Sequence, residues 1–244
     1  PERRRDVGAI AEARNALEEL EPELKAGGRR GVRALAQAIL PSSLVVWRGP
    51  EAQRLPRHAP GRVALTFDDG PMQLTPDYLA VLKLLGVRAT FFVVGQACAR
   101  HPDLVREIAD HGHELAGHGY THRRFTALSR AELGAELART EALLPPKKSG
   151  RLLVRPPHGS VSMRSMLTCM QRGFTTVLWS FNSNDWCNKD TALVERTFNE
   201  QSVRAGEIVL LHEGQSWTMN ALPAIVGALQ KAGHELVTVG ELLG

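Results

Sequence analysis

The stretch "LTFDDGP", Leu65–Pro71, decides how the rest of this 244-residue chain reads. Leu65 and Phe67 suit the end of a buried strand, yet two carboxylates follow Phe67 at once, and then a Gly-Pro turn. Alone, "DDGP" reads equally well as a plain turn, because Asp, Gly and Pro are turn formers. Asp68 and Asp69 become chemistry only if other polar side chains gather at the same ends of neighbouring strands.

Working outward from Arg62, strand and helix signals alternate. "RVALTF" is strand-like, "TPDYLAVLKLLG" helix-like with Thr75 as cap and Gly86 as stop, and "VRATFFVVG" strand-like. The helix "DLVREIADHG" precedes the strand "HELAGHG", and "SRAELGAELARTEALL" precedes "RLLVRPP". A short helix over 163–172 leads to the strand "FTTVLWSF", "TALVERTFNE" to "EIVLLHE", and a helix over 219–231 to "HELVTV". Alternation of this kind implies parallel strands with crossover helices. Seven candidate strands point to an α/β fold, a distorted and incompletely closed (β/α)7 barrel, with an open doubly wound sheet as the competing topology. Either places its reactive groups at the carboxyl ends of strands.

Residues 1–60 read differently. Ile10, Ala13, Leu17, Leu20 and Leu24 form an apolar helical stripe interrupted by Pro22, and "VRALAQAIL" offers a second short helix before Pro41. The expectation is an N-terminal helical extension over 1–60, packed on a main domain over 61–244. The chain opens on Pro1, and the basic Arg3–Arg5 run is read as flanking a removed signal or anchor. No run is long and apolar enough to span a bilayer. The net charge of +4 comes from scattered arginines, and aromatics make up only 5%, a pattern that speaks against nucleic-acid binding. Three cysteines without a close pair give neither a disulfide framework nor a zinc ribbon. Oligomeric state has no signature in the sequence.

The polar residues at the expected strand ends now form a set: Asp68 and Asp69, His118 and His122, Arg155, Asp185 and Trp186, and His212. His118 and His122, in "HGYTH", are spaced so that a helical turn puts both imidazoles on one side, where they can share a divalent cation. With Asp69 they make two histidines and one carboxylate, a set that leaves coordination positions open, as catalytic sites do. A zinc-like ion would activate water, whereas ferrous iron would activate oxygen. Asp68 favours hydrolysis, because it offers a base beside the metal. Successive residues of a strand point to opposite faces, so Asp69 is expected on the metal and Asp68 on the proton.

Taken in order, "TFDDGP", "HGYTH", "RPPHG", "NDW" and "LLH" resemble the polysaccharide deacetylases, the NodB-homology enzymes of carbohydrate esterase family four, over roughly Val63–Leu243. The resemblance implies metal-dependent removal of acetyl groups from N-acetylglucosamine-containing glycans: peptidoglycan, chitin oligomers or an exopolysaccharide. It implies Asp68 as base and Asp69, His118 and His122 as ligands of zinc, or of cobalt or another divalent ion. Arg155 would hold the base ionised, its guanidinium forking onto the carboxylate. Asp185 would orient His212, the general acid. The backbone N–H of His158, after Pro157, would serve the oxyanion, with Trp186 as a groove wall and Leu210 lining the acetyl pocket. Members that act on wall glycans work outside the cytoplasm, at the cell envelope.

The departures from the family pattern are Gly119, where Ser or Thr is usual and braces the loop, His158 in place of Tyr, Asn182 in place of Asp, and Glu213 in place of Asp. Cys187 reads as a buried thiol, Trp179 and the Met163, Met166 and Met170 face as core, and Trp217 equally as sugar platform or packing. His101, His111, His113 and His234 fall at helix ends or turns. Two other readings stay open: a deacylase of a lipid-linked sugar or small amide, and a non-catalytic carbohydrate-binding domain on the same scaffold. A binder has no use for both a base and an acid.

Overall fold

The computed structural model describes residues 45–56, 59–146 and 152–244, so the helices expected around Ile10–Leu24 and in "VRALAQAIL" lie outside the described residues. The strands are β1 (Val45–Val46), β2 (Arg62–Asp68), β3 (Thr90–Val93), β4 (Glu114–Gly117), β5 (Leu152–Val154), β6 (Phe174–Val177), β7 (Phe181–Asn182), β8 (Ile208–His212) and β9 (Glu235–Val237). They pair in parallel in the order β1-β6-β5-β4-β3-β2-β8-β7, with β9 beside the start of β2. Ala64 pairs with Ile208 of β8 and with Val237 of β9, so β9 shares the β3 edge of β2.

The stretch "FTTVLWSF", expected as one strand, is two. Its first half, β6, pairs with β5 and β1, and its second half, β7, pairs with β8 at the opposite end of the order. Only Leu178–Ser180 separate the halves. A trans chain advances at most about 3.6 Å per residue, so the end of β6, next to the β1 edge, lies within about 14 Å of the start of β7 at the other edge. The result is a strongly curled half-barrel, closed at that seam by a crossing chain in place of a strand ladder. Val45–Val46, at the end of the N-terminal segment expected to be helical, adds a strand to this sheet.

Strand alternation sorts the core into two layers. Val63, Leu65 and Phe67 of β2 face outward with Phe91, Val93, Val209 and Leu211, under the helices α2 (Thr75–Leu84) and α9 (Ser216–Lys231). Ala64 faces inward with Phe92, Ala116, Leu153, Val177 and Ile208. The inward row of β2 continues with Thr66 and Asp68, so the first polar groups of the site stand on the floor of the barrel.

The remaining helices are α1 (Glu51–Arg54), α3 (Gly95–Arg100), α4 (Pro102–Asp110), α5 (Arg130–Glu141), α6 (Met163–Gln171), α7 (Asp185–Asn188), α8 (Thr191–Glu200) and α10 (Val239–Leu243). Ser129 and Ser162 open α5 and α6 with reciprocal capping boxes, and Asp190 caps α8 through Leu193 N. Thr75 is not a cap: it is the first residue of α2, and its hydroxyl accepts from Met72 N and donates to Glu213. Gly86 does end its helix, at φ 66°.

Phe91 is fully buried, stacked on Phe67 at 5.1 Å, whereas Leu84 is 87% exposed. Phe91→Ala should therefore cost about 3–5 kcal/mol in urea unfolding, and Leu84→Ala less than about 0.5 kcal/mol. Equal costs would mean that the outward layer is not the core described here.

Candidate active site

Asp68 closes β2 and is nearly buried, with Oδ1 accepting from Arg155 Nη1 at 2.6 Å. The same nitrogen donates to Thr66 Oγ1 at 2.8 Å, and Nη2 donates to Leu178 O at 3.2 Å. The expected fork is thus a contact through one nitrogen, leaving Asp68 Oδ2 unclaimed by Arg155. The guanidinium is completely buried, its carbon 3.9 Å above the Phe92 ring. Burial presses its pKa below the ordinary value, opposed by the charge and hydrogen bond of Asp68.

Asp69 leaves the strand in a left-handed conformation, φ 79°. Because of that turn the two carboxylates do not diverge to opposite faces, as an extended strand would require; both reach His118. Its Nε2 lies 3.5 Å from Asp69 Oδ1 and 3.8 Å from Asp68 Oδ2. His122 Nε2 is 3.1 Å from Asp69 Oδ1. The two aspartates are distinguished by their partners, Asp68 with Arg155 and Asp69 with both histidines. Burial works against ionised Asp69, but the hydrogen bonds and charges of His118 and His122 hold its pKa far below the usual carboxylate range.

One ligand atom from each of Asp69, His118 and His122 lies within 4.8 Å of the others, close enough to hold a metal ion. The orientation of His118 fits such a role. Its Nδ1–H donates to the Arg155 carbonyl at 2.7 Å, which turns Nε2 toward the carboxylates, where it can donate to them as imidazolium or give its lone pair to a cation as neutral imidazole. The stretch between the histidines is not a helical turn. It is a loop with Gly119 at φ 75° and His122 at φ 59°, and these reversals bring the imidazoles together, ring centroids 5.0 Å apart.

Across from Asp68, at the paired position on β8, stands His212. Its Nδ1–H donates to Asp185 Oδ1 at 2.7 Å, and its backbone N–H to Oδ2 at 2.7 Å. Asp185 is fully buried and also accepts from Ser183 Oγ and Thr218 Oγ1, each at 2.9 Å. Burial alone would lower the His212 pKa; the Asp185 hydrogen bond and charge, with Asp68 and Asp69 beyond, outweigh it and hold the imidazole above its ordinary value.

Over residues 56–177 the sequence matches the family model described as polysaccharide deacetylase. It is 33% identical over 217 residues to a peptidoglycan-N-acetylglucosamine deacetylase of Bacillus cereus, covering 86% of this chain and 97% of that protein. The chain belongs to the polysaccharide deacetylase family. It is also 33% identical over 200 residues to a chitooligosaccharide deacetylase of Bradyrhizobium, covering 74% of this chain and 90% of the relative. Among solved structures it is similar to a CE4 family pseudoenzyme from Bacillus anthracis, with a TM-score of 0.73, 25% identity, and coverage of 84% of this chain and 70% of that one.

Within this polysaccharide deacetylase fold, Asp68, Asp69, His118, His122 and His212 line one cleft together with His158, Trp186 and Leu210. Gly159, Trp179 and Gln215 line it as well. Trp179, expected in the core, packs on the cluster of Val45, Trp47, Met170 and Leu178 and also lines the cleft. Trp186 is 56% exposed, a flat wall. Trp217 is spent on packing, its indole N–H donating to Asp185 O at 2.9 Å. Cys187 is exposed, against the expectation of a buried thiol. Met170 is buried with Met163 and Met166 packed on its cluster. His113 is a core residue, its Nδ1 accepting from Ala89 N, and burial holds its pKa down at about 4.

Ser183 and Thr218 escaped the sequence reading. A hydroxyl two residues before "DW" is the only signal for Ser183, and Thr218 sits on a distant helix. Glu213 is buried beneath the Gly70 turn, where an added Cβ on Gly70 would overlap its carboxylate. Burial pushes its pKa up to about 7, against hydrogen bonds from Thr75 and Met72.

In an NMR titration His212 should ionise above its ordinary 6.5. Asp185→Asn should drop it below that value, because burial is then the main remaining influence. The stability contributed by the pair should be fully present below about pH 6.5 and lost as pH rises through the folded-state pKa. An unmoved titration in the variant would mean that Asp185 does not hold the imidazolium.

Proposed function

We propose that this chain is a metal-dependent hydrolase that removes acetyl groups from the N-acetylglucosamine units of a glycan. The observation that carries this reading is a base and an acid on paired positions of adjacent parallel strands, Asp68 and His212, each gripped by a buried partner, beside one metal-binding group. The pseudoenzyme relative makes clear that the fold alone does not carry activity. A carbohydrate binder has no need of two oppositely assigned proton carriers, and this favours the enzyme.

Asp69, His118 and His122 would hold a divalent ion; the mixed nitrogen and oxygen set suits zinc, with cobalt or another divalent ion as alternatives. When bound, such an ion supplies Lewis acidity toward the acetamide carbonyl and lowers the pKa of water. Asp68 accepts the proton of the attacking water on Oδ2, since Oδ1 is committed to Arg155. The backbone N–H of His158, after Pro157, donates to the developing oxyanion. His212, protonated through Asp185, delivers its Nε2 proton to the sugar nitrogen as the C–N bond breaks, because an amide anion cannot leave. Acetate and a free glucosamine unit result; Asp68 passes its proton to solvent and His212 takes one up from it, which restores both groups. Leu210 lines the acetyl pocket, and Trp186 offers its face to a sugar ring.

Peptidoglycan is the preferred polymer, supported by the near full-length likeness to the Bacillus cereus protein, with chitin oligomers next. Such a substrate puts the enzyme outside the cytoplasm, at the cell envelope. Among the described residues no helix is long and apolar enough to cross a membrane. Residues 61–244 form the catalytic domain of this reading, with 1–60 as its extension.

Metal-depleted protein should release acetate from peptidoglycan or chito-oligosaccharides only after zinc or cobalt is restored. Silence on both polymers with stoichiometric metal bound would redirect the proposal to a lipid-linked sugar or small amide. Asp68→Asn should keep its metal and lose turnover; joint loss of both would exchange the roles of Asp68 and Asp69. His212→Ala should lower kcat by about 10²–10⁴ with little change in KM.

A further inference from the structure

Glu136 lies outside the cleft, on α5, yet it is nearly buried, and among the described residues no basic side chain forms an ion pair with it. A buried carboxylate without a cation must satisfy its oxygens with hydrogen bonds. Its donors all come from the loop between the two metal-site histidines. Oε2 accepts from Tyr120 N at 2.7 Å and from Thr121 N at 2.8 Å, and Oε1 accepts from Thr121 Oγ1 at 2.7 Å. One turn further along the same helix, the Arg139 guanidinium covers the Tyr120 ring at 3.5 Å.

The loop has need of such a clasp. Its left-handed residues, Gly119 and His122, remove it from helix and strand, so its central amides have no ladder to join. Gly119 offers no side chain to brace them. Instead it lets the loop close in: a Cβ there would stand 3.5 Å from Glu136 Oε2 and 3.2 Å from Phe125. His118 is held separately, by its backbone N–H on Val93 O and its ring on Arg155 O. His122 meets Asp69 at 3.1 Å and the His118 and His158 rings at 5.0 and 4.8 Å, and the loop that carries it is held by Glu136 on its N–H side and by Gly95 N and Gln96 N on the carbonyls of Gly119 and Tyr120.

We propose that Glu136 is a positioning residue for metal binding: its carboxylate clamps the Tyr120–Thr121 backbone and so sets His122 against Asp69. The inference rests on the metal-site reading above and concerns one loop of it. Asp68–Arg155 and His212–Asp185 lie outside its reach.

The test compares wild type, Glu136→Ala and Glu136→Gln, all metal-depleted, by competition for zinc with a chromophoric chelator and by amide hydrogen exchange. Glu136→Ala should bind zinc about tenfold or more weakly, in the range found when outer-shell supports of a metal site are removed. Its Tyr120 and Thr121 amides should exchange faster than in wild type. Glu136→Gln keeps a carbonyl oxygen for both amides and an amino group that Thr121 Oγ1 can accept from, so it should recover most of the affinity and protection. Circular dichroism on each variant separates a lost clamp from a lost fold. Wild-type affinity in Glu136→Ala would overturn the proposal, as would a Gln variant as weak as Ala while folded. If wild type itself bound no zinc, the metal reading would fail, and unchanged exchange at Tyr120 and Thr121 in Glu136→Ala would still overturn the clamp.

Discussion

Arg155 is the joint on which the site turns. Its side chain grips Asp68, its carbonyl fixes the His118 ring, and its backbone N–H donates to Gly117 O at the end of β4. One residue therefore sets the proposed base and a candidate metal ligand relative to each other. A buried guanidinium is costly unless paired, and removing Asp68 would leave it uncompensated. The charge pair thus ties the chemistry of the cleft to the stability of the barrel floor.

The parallel register supplies the frame for that joint. β2 and β8 run side by side from Ala64–Ile208 to Asp68–His212, so proposed base and acid end on the same rung. The inward row of β8 is apolar up to His212, whereas that of β2 turns polar directly after Ala64, at Thr66 and Asp68. Burial on that floor makes each polar contact matter, and the networks are accordingly dense. The Asp185 carboxylate alone accepts four hydrogen bonds, from Ser183, Thr218 and the His212 backbone and ring.

Backbone strain gathers in the same place. Of the five non-glycine residues with positive φ among the described residues, Asp69, His122 and His158 line the cleft and Asn184 precedes Asp185. Left-handed geometry disfavours an ordinary side chain by about 1–2 kcal/mol, so surrounding contacts must hold it. For His122 the holding contacts run through Glu136 to helix α5; beneath the Asp69–Gly70 turn they run to Glu213.

The sequence by itself determined the alternation of parallel strands and helices and the set of polar residues at strand ends, while barrel and open doubly wound sheet both remained compatible with it. These are legible because apolar period and ordered motifs are local properties of the chain. Where "FTTVLWSF" breaks was not legible, since each half meets its partner strands only after the sheet has curled. Nor could an extended-strand rule foresee that Asp69 turns back beside Asp68, or a helical-spacing rule that His118 and His122 meet through a loop. Tertiary structure alone decided that Ser183 and Thr218 hold Asp185, that Trp179 reaches the cleft, and that Glu136 clasps the histidine loop. Those contacts join residues far apart in the chain or hinge on single left-handed dihedrals, and neither leaves a periodic trace in the sequence.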